Sequence, residues 1–425
     1  MTWHTVDLSE LIAKIESGGR PHGGASVDSG EIPSLGGENI CLSGGLELDQ
    51  IKKVPSSFFD HMTKGILKDK DVLINKDGAN TGKVGFFENQ FPKAAINEHV
   101  FLLRGHPEKI EQRYLYYLLL SQYCQRIIQS KISGSAQPGL KRDFISNFPL
   151  LLPKSIKEQL KISDVLVVID NIISLDEKII FKYQHIMRGL IHFLFIYGIG
   201  EDGQLRNPNT YKFKPTPLGR APEKWQIDQF KVLAVCIDPQ PDHRAPAEVQ
   251  NGEPYIGVGD FLPNGNIDFI NCRKVSKLAI DKQQLSFQIR DGDIIFGKIG
   301  TIGLPRRLKA GRYGLSANTI LIKPKMIPDF SYWLLNSVHV NNQVRSQIHS
   351  TSQPAFGIKK IRALIVPIPQ ESEQTQIATI LNFVEEIITT RKTHLQKLYL
   401  LREGLMHDLL AGNVSVIPFL QDQER

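Results

Sequence analysis

The sequence predicts an α+β protein made of two copies of one unit, each a globular domain followed by a long helix. Three observations predict this class: the chain matches itself at a shift of about 216 residues, short β-like runs mix irregularly with helical stretches, and two long stretches almost lack glycine and proline. The two long helices are expected to pair as an antiparallel coiled coil between the two domains, about a pseudo-two-fold axis.

The internal repeat is collinear over most of the chain. In the later part of each copy the shift is about 215 or 216 residues, and the matches include Tyr116 with Tyr332, Gln137-Pro138 with Gln353-Pro354, Ile162 with Ile377 and Gly189-Leu190 with Gly404-Leu405. Earlier in each copy the shift is about 222, as for Asp71–Lys76 with Asp293–Lys298. The changing shift indicates small insertions in surface loops, and two long copies are too few for a solenoid.

Each globular part contains short apolar runs bounded by glycine, proline and asparagine, a pattern typical of strands. These runs are Val72–Ile74, Val84–Phe87, His99–Leu103, Ile294–Phe296 and Thr319–Ile322. A helical stretch is expected to follow in each copy, at Tyr114–Ser130 and at Phe330–His349. Strands and helices without a regular βαβ order favour the α+β class.

The two stretches with little glycine or proline, about Ser155–Ile196 and Glu371–Ala411, predict the long helices. Pro153 and Pro369 lie just before them, and Gly412 is expected to end the second. Apolar residues recur at three- and four-residue steps and predict a coiled-coil seam, namely Val165, Ile169, Ile172, Ile179, Ile186 and Leu190 in the first helix, and Ile380, Val384, Ile387, Leu398, Leu401 and Leu405 in the second.

A charged residue interrupts each seam near the middle of its helix. Asp176 and Arg391 occupy equivalent positions of the repeat. If the helices run antiparallel about a pseudo-two-fold axis, the two side chains meet, and we expect an ion pair that fixes the register of the helix pair. The alternative is that each side chain turns into solvent.

These features predict six segments. They are a first domain at 1–153, a first helix at 154–197, a linker at 198–222, a second domain at 223–369, a second helix at 370–413 and a tail at 414–425.

Composition excludes a disordered chain. Hydrophobic residues make up 41% and aromatic residues 8%, and 51 Lys+Arg against 44 Asp+Glu give a net charge of +7, which permits nucleic-acid binding without establishing it. The four cysteines form no Cys-x-x-Cys pair, so we expect neither a zinc ribbon nor disulfides. No signal peptide and no membrane-spanning stretch are evident, and a cytoplasmic location is expected.

Several phrases resemble the specificity (S) subunit of type I restriction–modification systems. Thr216–Trp225 is similar to the segment that opens a target recognition domain in that family. Asp71–Lys83 and Asp293–Gly303 are similar to its strand and glycine loop, Ser135–Pro138 and Ser352–Pro354 to a turn near the end of the domain, and Gly404–Gly412 to the end of the second conserved helix. The second glycine loop is shorter and lacks the lysine that ends the first.

The resemblance implies a non-catalytic subunit with two DNA target recognition domains that read a split, asymmetric duplex target. The implied partners are double-stranded DNA, two methyltransferase (M) subunits on the helix pair and restriction (R) subunits outside them. No cofactor, metal or membrane is implied. A rigid helix pair would place the two domains about one helical turn apart on one side of the duplex.

Base reading needs Arg, Lys, Asn or Gln side chains at groove depth, and positioning needs cations at the phosphates. The candidates in the first domain are Arg20, His22, Lys76, Asn80, Lys83, Gln137, Lys141 and Arg142, and those in the second are His243, Arg244, Lys298, Arg306, Arg307, Arg312, Gln353, Lys359 and Lys360. Any one of these cations is alternatively a solvated loop residue, and Gln137 and Gln353 alternatively stabilise a turn. His192 and His407 are expected to pack or cap near helix ends.

Motifs of catalysis are missing where an enzyme needs them. Gly78–Lys83 is one residue short of a P-loop, and Val84 stands where Ser or Thr would hold magnesium. Two other functions stay open at this point: a coiled-coil scaffold whose globular ends bind proteins without specific DNA recognition, and a nuclease or methyltransferase that acts alone. Strongly salt-dependent DNA affinity would favour the DNA-binding interpretation over the scaffold.

Overall fold

The computed structural model describes residues 3–134, 138–240, 244–348 and 355–421. The chain divides into two compact units, the first made of Met1–Ser174 with Lys397–Arg425 and the second of Leu175–Gln396. Each unit therefore combines one globular domain with the beginning of one long helix and the end of the other.

The first unit has its strands in the order β1 Trp3–Asp7, β2 Ile12–Ser17, β3 Ile32–Leu35, β4 Lys53–Val54, β5 Val72–Asn75, β6 Val84–Phe86, β7 Ala95–Ile96, β8 Val100–Gly105 and β9 Pro149–Pro153. Its helices are α1 Leu8–Leu11, α2 Ser56–Asp60, α3 Gln112–Leu120 and α4 Gln122–Lys131, with 3-10 turns at Gly37–Asn39 and Arg142–Ile145. The first long helix, α5, covers Ile156–Ile196.

The second unit has the strands β10 Phe213–Thr216, β11 Gly219–Pro222, β12 Gln226–Gln229, β13 Ala234–Ile237, β14 Glu248–Ile256, β15 Lys274–Val275, β16 Ile294–Gly297, β17 Pro305–Arg307, β18 Gly314–Leu315, β19 Thr319–Pro324 and β20 Ile365–Ile368. Its helices are α6 Lys277–Ser286, α7 Pro328–Leu335, α8 Val338–Ile348 and α9 Ile358–Arg362, with a 3-10 turn at Phe230–Val232. The second long helix, α10, covers Glu371–Leu410, and α11 Ile417–Gln421 follows in the first unit.

The two units share one sheet topology, which confirms the repeated α+β fold. An antiparallel sheet of order β2-β8-β5-β6 in the first unit corresponds to β13-β19-β16-β17 in the second. A mixed sheet of order β4-β3-β7 likewise corresponds to β15-β14-β18, and the strand pair β1-β9 corresponds to β12-β20.

The central strands are apolar on consecutive residues because both faces of their sheet are covered. In β5, Val72 and Ile74 join the core cluster that contains α3 and the helix pair, whereas Leu73 faces a second cluster on the other side. In β16, Ile294 and Ile295 divide between two clusters in the same way. The predicted strand runs are all strands in the structure.

The single helical stretches expected after the sheet were wrong, because each is two helices separated near a serine. The break in the first unit comes at Ser121, whose backbone is extended (φ −61°, ψ 149°) and whose Oγ accepts a hydrogen bond from the N–H of Cys124. Ser337 lies between α7 and α8 at the equivalent place, and its Oγ accepts from the N–H of Val340. A serine at this place caps the second helix and ends the first.

Within each unit the beginning of one long helix packs antiparallel against the end of the other. In the first unit Ile162 and Leu166 of α5 share a core cluster with Met406 and Leu409 of α10. In the second, Met187 and Leu194 share one with Ile377 and Leu381. Gly412 follows the last turn of α10 with a φ of +74°, a left-handed conformation that favours glycine and ends a helix.

The predicted seam was wrong at part of its positions. Ile172, Ile186 and Leu401 are 40%, 47% and 52% exposed, whereas Ile173 and Met187 are buried. Ile173 is thus buried in place of Ile172, and Met187 in place of Ile186. The pattern of three- and four-residue steps is retained, but the contact face is rotated.

Asp176 and Arg391 contact each other within the second unit. Arg391 Nη1 donates to Asp176 Oδ1 at 3.1 Å, and His394 Nδ1 lies 2.5 Å from Asp176 Oδ2. The carboxylate is almost fully buried, and the side chains of Arg391 and His394 are nearly half exposed. Whether this cluster sets the register of the helices stays a prediction.

Candidate DNA-binding surface

The glycine loop of the first unit connects β5 and β6 and is held by its own backbone. Gly78 and Gly82 have φ values of +80° and +88°, which favour glycine at both positions. The N–H of Gly82 donates to Asn75 O, and Thr81 Oγ1 donates to Gly78 O at 2.6 Å. These internal hydrogen bonds therefore define the shape of the loop.

Three predicted segments of the first domain lie together around this loop. The N–H of Leu140 donates to Lys76 O, which joins the loop to the segment before Lys141 and Arg142. The N–H of Lys76 donates to His99 O, and the neighbouring Glu98 pairs with Arg20 at 3.0 Å.

The predicted residues of the first domain differ in how far they are already engaged. Arg20 is paired with Glu98, and Asn80 Nδ2 donates to Gly37 O at 3.2 Å. Lys76 is half-buried, with Nζ 5.5 Å from the centroid of the Phe101 ring. In the described part of the chain, the side chains of Lys76, Lys83, Lys141 and Arg142 have no carboxylate partner.

The carboxylates near the loop already have nitrogen partners. Asp77 Oδ1 lies 2.6 Å from His99 Nδ1, and Glu38 pairs with Lys52 at 2.8 Å. Burial raises the pKa of Glu38, but its hydrogen bonds and the nearby positive charge of Lys52 together outweigh burial, and the pKa is lowered. The unpaired lysines and Arg142 therefore carry the surplus positive charge of this surface.

The glycine loop of the second unit has the same connections but a different charge. The N–H of Lys298 donates to Asn318 O, and Lys298 O accepts from the N–H of Phe356. The side chain of Lys298 is 5% exposed, and its Nζ lies 3.1 Å from Asp238 Oδ2. This placement makes Lys298 an internal ion pair, not a cation open to a phosphate.

Three of the four predicted arginines of the second domain, Arg306, Arg307 and Arg312, lie at a cleft of about 1150 Å³ beside the helix segments of the same unit. Arg307 donates to Asp329 and Glu385, and Arg312 donates to Glu253 and Asp281. Arg306 lies over the Phe261 ring, and its buried Nε has no hydrogen-bond partner in the described part of the chain. Arg306 is therefore the arginine of the three whose hydrogen-bonding capacity is least used.

The remaining predicted residues are exposed or lie outside the described residues. His22, Arg244 and Lys359 are exposed, as is Lys360, whose Nζ donates to Gln347 O and Ala355 O. Gln137, His243 and Gln353 lie outside the described residues.

Sequence reasoning missed two residues that contact charged side chains of these loops. His99 Nδ1 lies 2.6 Å from Asp77 Oδ1 in the first, and Asp238 pairs with Lys298 in the second. The available signal was the repeat itself, because Asp238 aligns with Ser17 once the strand registers are matched. A carboxylate present in only one copy identifies the lysine that is neutralised.

Two general properties bear on the class of protein. Over the described ranges, no group of three His, Cys, Asp or Glu residues is placed to hold a metal ion. None of the helices described is long and apolar enough to cross a membrane.

A doubled α+β domain with a pair of long helices defines the chain as a two-copy protein of one repeated unit. The family model for the type I restriction modification DNA specificity domain matches residues 1–182 and 243–399. The chain therefore belongs to this family, and it is a specificity subunit, a non-catalytic component of such systems.

Curated relatives agree with this assignment. The chain is 22% identical over 376 residues to the type I restriction enzyme MjaVIII specificity subunit of Methanocaldococcus jannaschii, covering 83% of this chain and 80% of that protein. It is 23% identical over 347 residues to the putative MjaX specificity subunit of the same organism, covering 79% and 76%.

Solved structures show the same fold. The S subunit of a type I restriction–modification system from M. genitalium superposes with a TM-score of 0.56 at 13% identity, covering 96% of each chain. A chain from a study of complex assembly and conformational transition of the type I R-M system superposes with a TM-score of 0.54 at 14% identity, covering 97% of this chain and 98% of that one.

Proposed function

We propose that the chain reads a split, asymmetric duplex target, one block with each domain, and positions methyltransferase and restriction subunits on that target in the cytoplasm. The observation that carries this proposal is that the two domains share one sheet topology but have different charged side chains in their equivalent glycine loops. Identical folds with different side chains at equivalent loops would read different bases.

The first domain is proposed to approach DNA through the surface around its glycine loop. Lys76, Lys83, Lys141 and Arg142 supply positive charge there without a carboxylate partner in the described residues, and phosphate contacts require such cations. The second domain is proposed to use Lys359, Lys360 and Arg306 in place of Lys298, since Lys298 is neutralised by Asp238.

Docking of two methyltransferase subunits is supported by exposed apolar side chains on the helix segments of each unit. Val168 and Leu401 in the first unit are 58% and 52% exposed, and Phe383 and Ile186 in the second are 63% and 47% exposed. These are repeat equivalents, Val168 with Phe383 and Ile186 with Leu401. Exposed apolar residues at equivalent places are expected of two equivalent protein interfaces.

The test is to express the full chain with its cognate modification subunits and to sequence the methylated sites in host DNA. We expect one motif with two specified blocks separated by unspecified base pairs. Replacing residues 1–153 by the first domain of another family member should change one block only. Methylation without a split motif, or a change in both blocks, would contradict the proposal.

A matched pair of variants tests the docking surfaces. Val168→Glu and Phe383→Glu each place a charge on an exposed apolar position of one unit, and each should reduce the modification subunits bound per chain from two to one. Leu278→Glu is the control, because Leu278 is 80% exposed and lies on α6 of the second domain, not on a long helix. Full assembly by all three variants would argue against these surfaces.

A further inference from the structure

Each long helix carries a carboxylate where its first half contacts a globular domain, α5 in the first unit and α10 in the second. Asp170 of α5 and Glu385 of α10 occupy equivalent positions of the repeat. Tyr117 Oη of the first domain donates to Asp170 Oδ2 at 2.7 Å. Arg307 Nη1 of the second domain donates to Glu385 Oε2 at 2.6 Å.

In the first unit, the arginine that neutralises the carboxylate comes from the other helix. Arg402 of α10 donates through Nε to Asp170 Oδ1 at 2.5 Å, and its side chain is 14% exposed. The globular domain contributes rings here: the centroids of Phe86 on β6 and Tyr116 on α3 are 5.3 Å apart.

In the second unit, the arginine comes from the globular domain. Arg307 on β17 has its Cζ 3.7 Å from the centroid of the Tyr332 ring, in the place that Phe86 takes against Tyr116. Its Nη2 donates to Asn382 Oδ1 at 2.7 Å, an oxygen that also accepts from Trp333 Nε1 at 2.8 Å.

Comparison of the two copies shows that the arginine lies on the long helix in the first unit and on the sheet in the second. Phe86 and Arg307 are equivalent because they lie opposite Val72 and Ile294, the first residues of the matched strands. The equivalent of Arg402 is Met187, a buried residue of the second core cluster. The first unit thus has phenylalanine on the sheet and arginine on the helix, and the second has arginine on the sheet and methionine on the helix.

We propose that Asp170 and Glu385 are the anchors that fix each recognition domain to the helices, and that the transposed arginine makes each domain specific for its own position. Asp170 and Glu385 are partly buried, so leaving either carboxylate unpaired is unfavourable, and two arginines at one carboxylate leave a surplus charge. The first domain in the second position would leave Glu385 without an arginine. The second domain in the first position would bring Arg307 and Arg402 to one carboxylate.

The anchors act on how a domain is held and not on what it binds, so the first test is thermal unfolding of the full chain without DNA. Arg402→Met should lower the unfolding temperature of the first unit by roughly 3–8 °C. The double variant Phe86→Arg with Arg402→Met copies the arrangement of the second unit and should restore at least half of that loss. Arg126→Met is the control, because Arg126 is an exposed arginine of the same unit.

The reciprocal exchange tests the second unit. Arg307→Phe should lower its unfolding temperature by a similar amount, and Arg307→Phe with Met187→Arg should recover it. Arg345→Met, at an exposed arginine of the second unit, is the control. A destabilised single variant without rescue by its transposed partner would assign these arginines to general packing and overturn the proposal, as would single variants no worse than their controls.

Positional specificity is tested by a chimera in which residues 1–153 replace residues 223–369. This chain should unfold at a lower temperature than the natural one, and adding Met187→Arg should raise it, because the helix then supplies the arginine that the first domain requires. A chimera whose stability is the same with and without Met187→Arg contradicts the proposal. Neither result depends on DNA recognition.

Discussion

The two glycine loops of this specificity subunit have the same backbone hydrogen bonds, but their lysines differ in whether a carboxylate neutralises them. Lys76 and Lys298 make equivalent main-chain hydrogen bonds, but only Lys298 has a carboxylate, Asp238, to neutralise it. Serine stands at the position equivalent to Asp238 in the first unit. The two copies thus share one backbone arrangement, while the single carboxylate of Asp238 removes the free positive charge from one of the two loops.

The buried glutamates at the start of the long helices give the largest expected difference between the units. Glu373 accepts from Arg206 through both carboxylate oxygens, from Trp225 Nε1 at 3.0 Å and from the N–H of Ile199. Its equivalent Glu158 is equally buried, but no side chain in the described residues donates to its carboxylate.

Glu373→Gln should therefore destabilise the second unit by about 3 kcal/mol, because it leaves the buried Arg206 guanidinium uncompensated. Glu158→Gln should cost the first unit less than about 1 kcal/mol, since no buried cation loses its partner there. Urea unfolding of the full chain, followed by Trp fluorescence and by circular dichroism, measures both. Equal losses for the two variants would mean that the glutamates have the same role.

Asp176 and Arg391 are equivalent residues of the two copies, and they contact each other with opposite charges. Asp176→Arg brings two arginines together and should destabilise the second unit by about 2 kcal/mol, whereas Asp176→Arg with Arg391→Asp should recover about half of this. Thermal unfolding of the three chains measures the coupling. If the exchanged pair is no better than the single variant, the contact does not determine the register of the helices.

The glycine loops themselves should differ in their effect on DNA. Lys76→Gln should weaken binding of the assembled complex by about 0.5–1 kcal/mol and reduce the slope of log K against log salt by about one. Lys298→Gln should leave the slope unchanged, because Lys298 is already neutralised. Filter binding over a series of salt concentrations tests both, and a change of slope with Lys298→Gln would mean that its ion pair opens on DNA.

The smallest expected difference between the units is in how their stability depends on pH. His339 in the second unit is half-buried and its Nε2–H donates to Phe195 O, and burial lowers the pKa of His339 below the usual 6.5. The unfolded chain then binds a proton that the folded chain excludes, so stability is present above about pH 6.5 and declines as pH falls below it. Tyr123, the equivalent in the first unit, is exposed and its hydroxyl donates to Pro149 O.

We expect this decline to affect the second unit, because the half-buried histidine lies there. His339→Gln should remove that component while keeping a donor for Phe195 O. Unfolding measured from pH 5 to 8 decides the matter, and an unchanged pH profile in the variant would assign the decline to other groups.

The sequence predicted the strands and the long helices because their signals are local. Both faces of the central sheets are covered, so β5 and β16 are unbroken apolar runs that stand out between glycine and asparagine. Ser121 was not recognised as a break, since serine is compatible with a helix until its backbone is seen to be extended.

The rotation of the helix seam shows what local patterns leave open. Ile172-Ile173 and Ile179-Ile180 offer two adjacent isoleucines at each step, and a spacing rule fits either one. Only the partner helix determines which of the two is buried. The same limit applies to Lys298, because Asp238 lies 60 residues away along the chain.

The division of the chain also sets an order of events during synthesis on the ribosome. The second unit is one continuous segment, Leu175–Gln396, whereas the first needs Lys397–Arg425 from the end of the chain. The second unit therefore has all its residues before the first can cover Ile162 and Leu166 with Met406 and Leu409. Until residues 397–425 have been synthesised, the nascent first domain carries an uncovered apolar strip around Ile162 and Leu166, which a chaperone could shield.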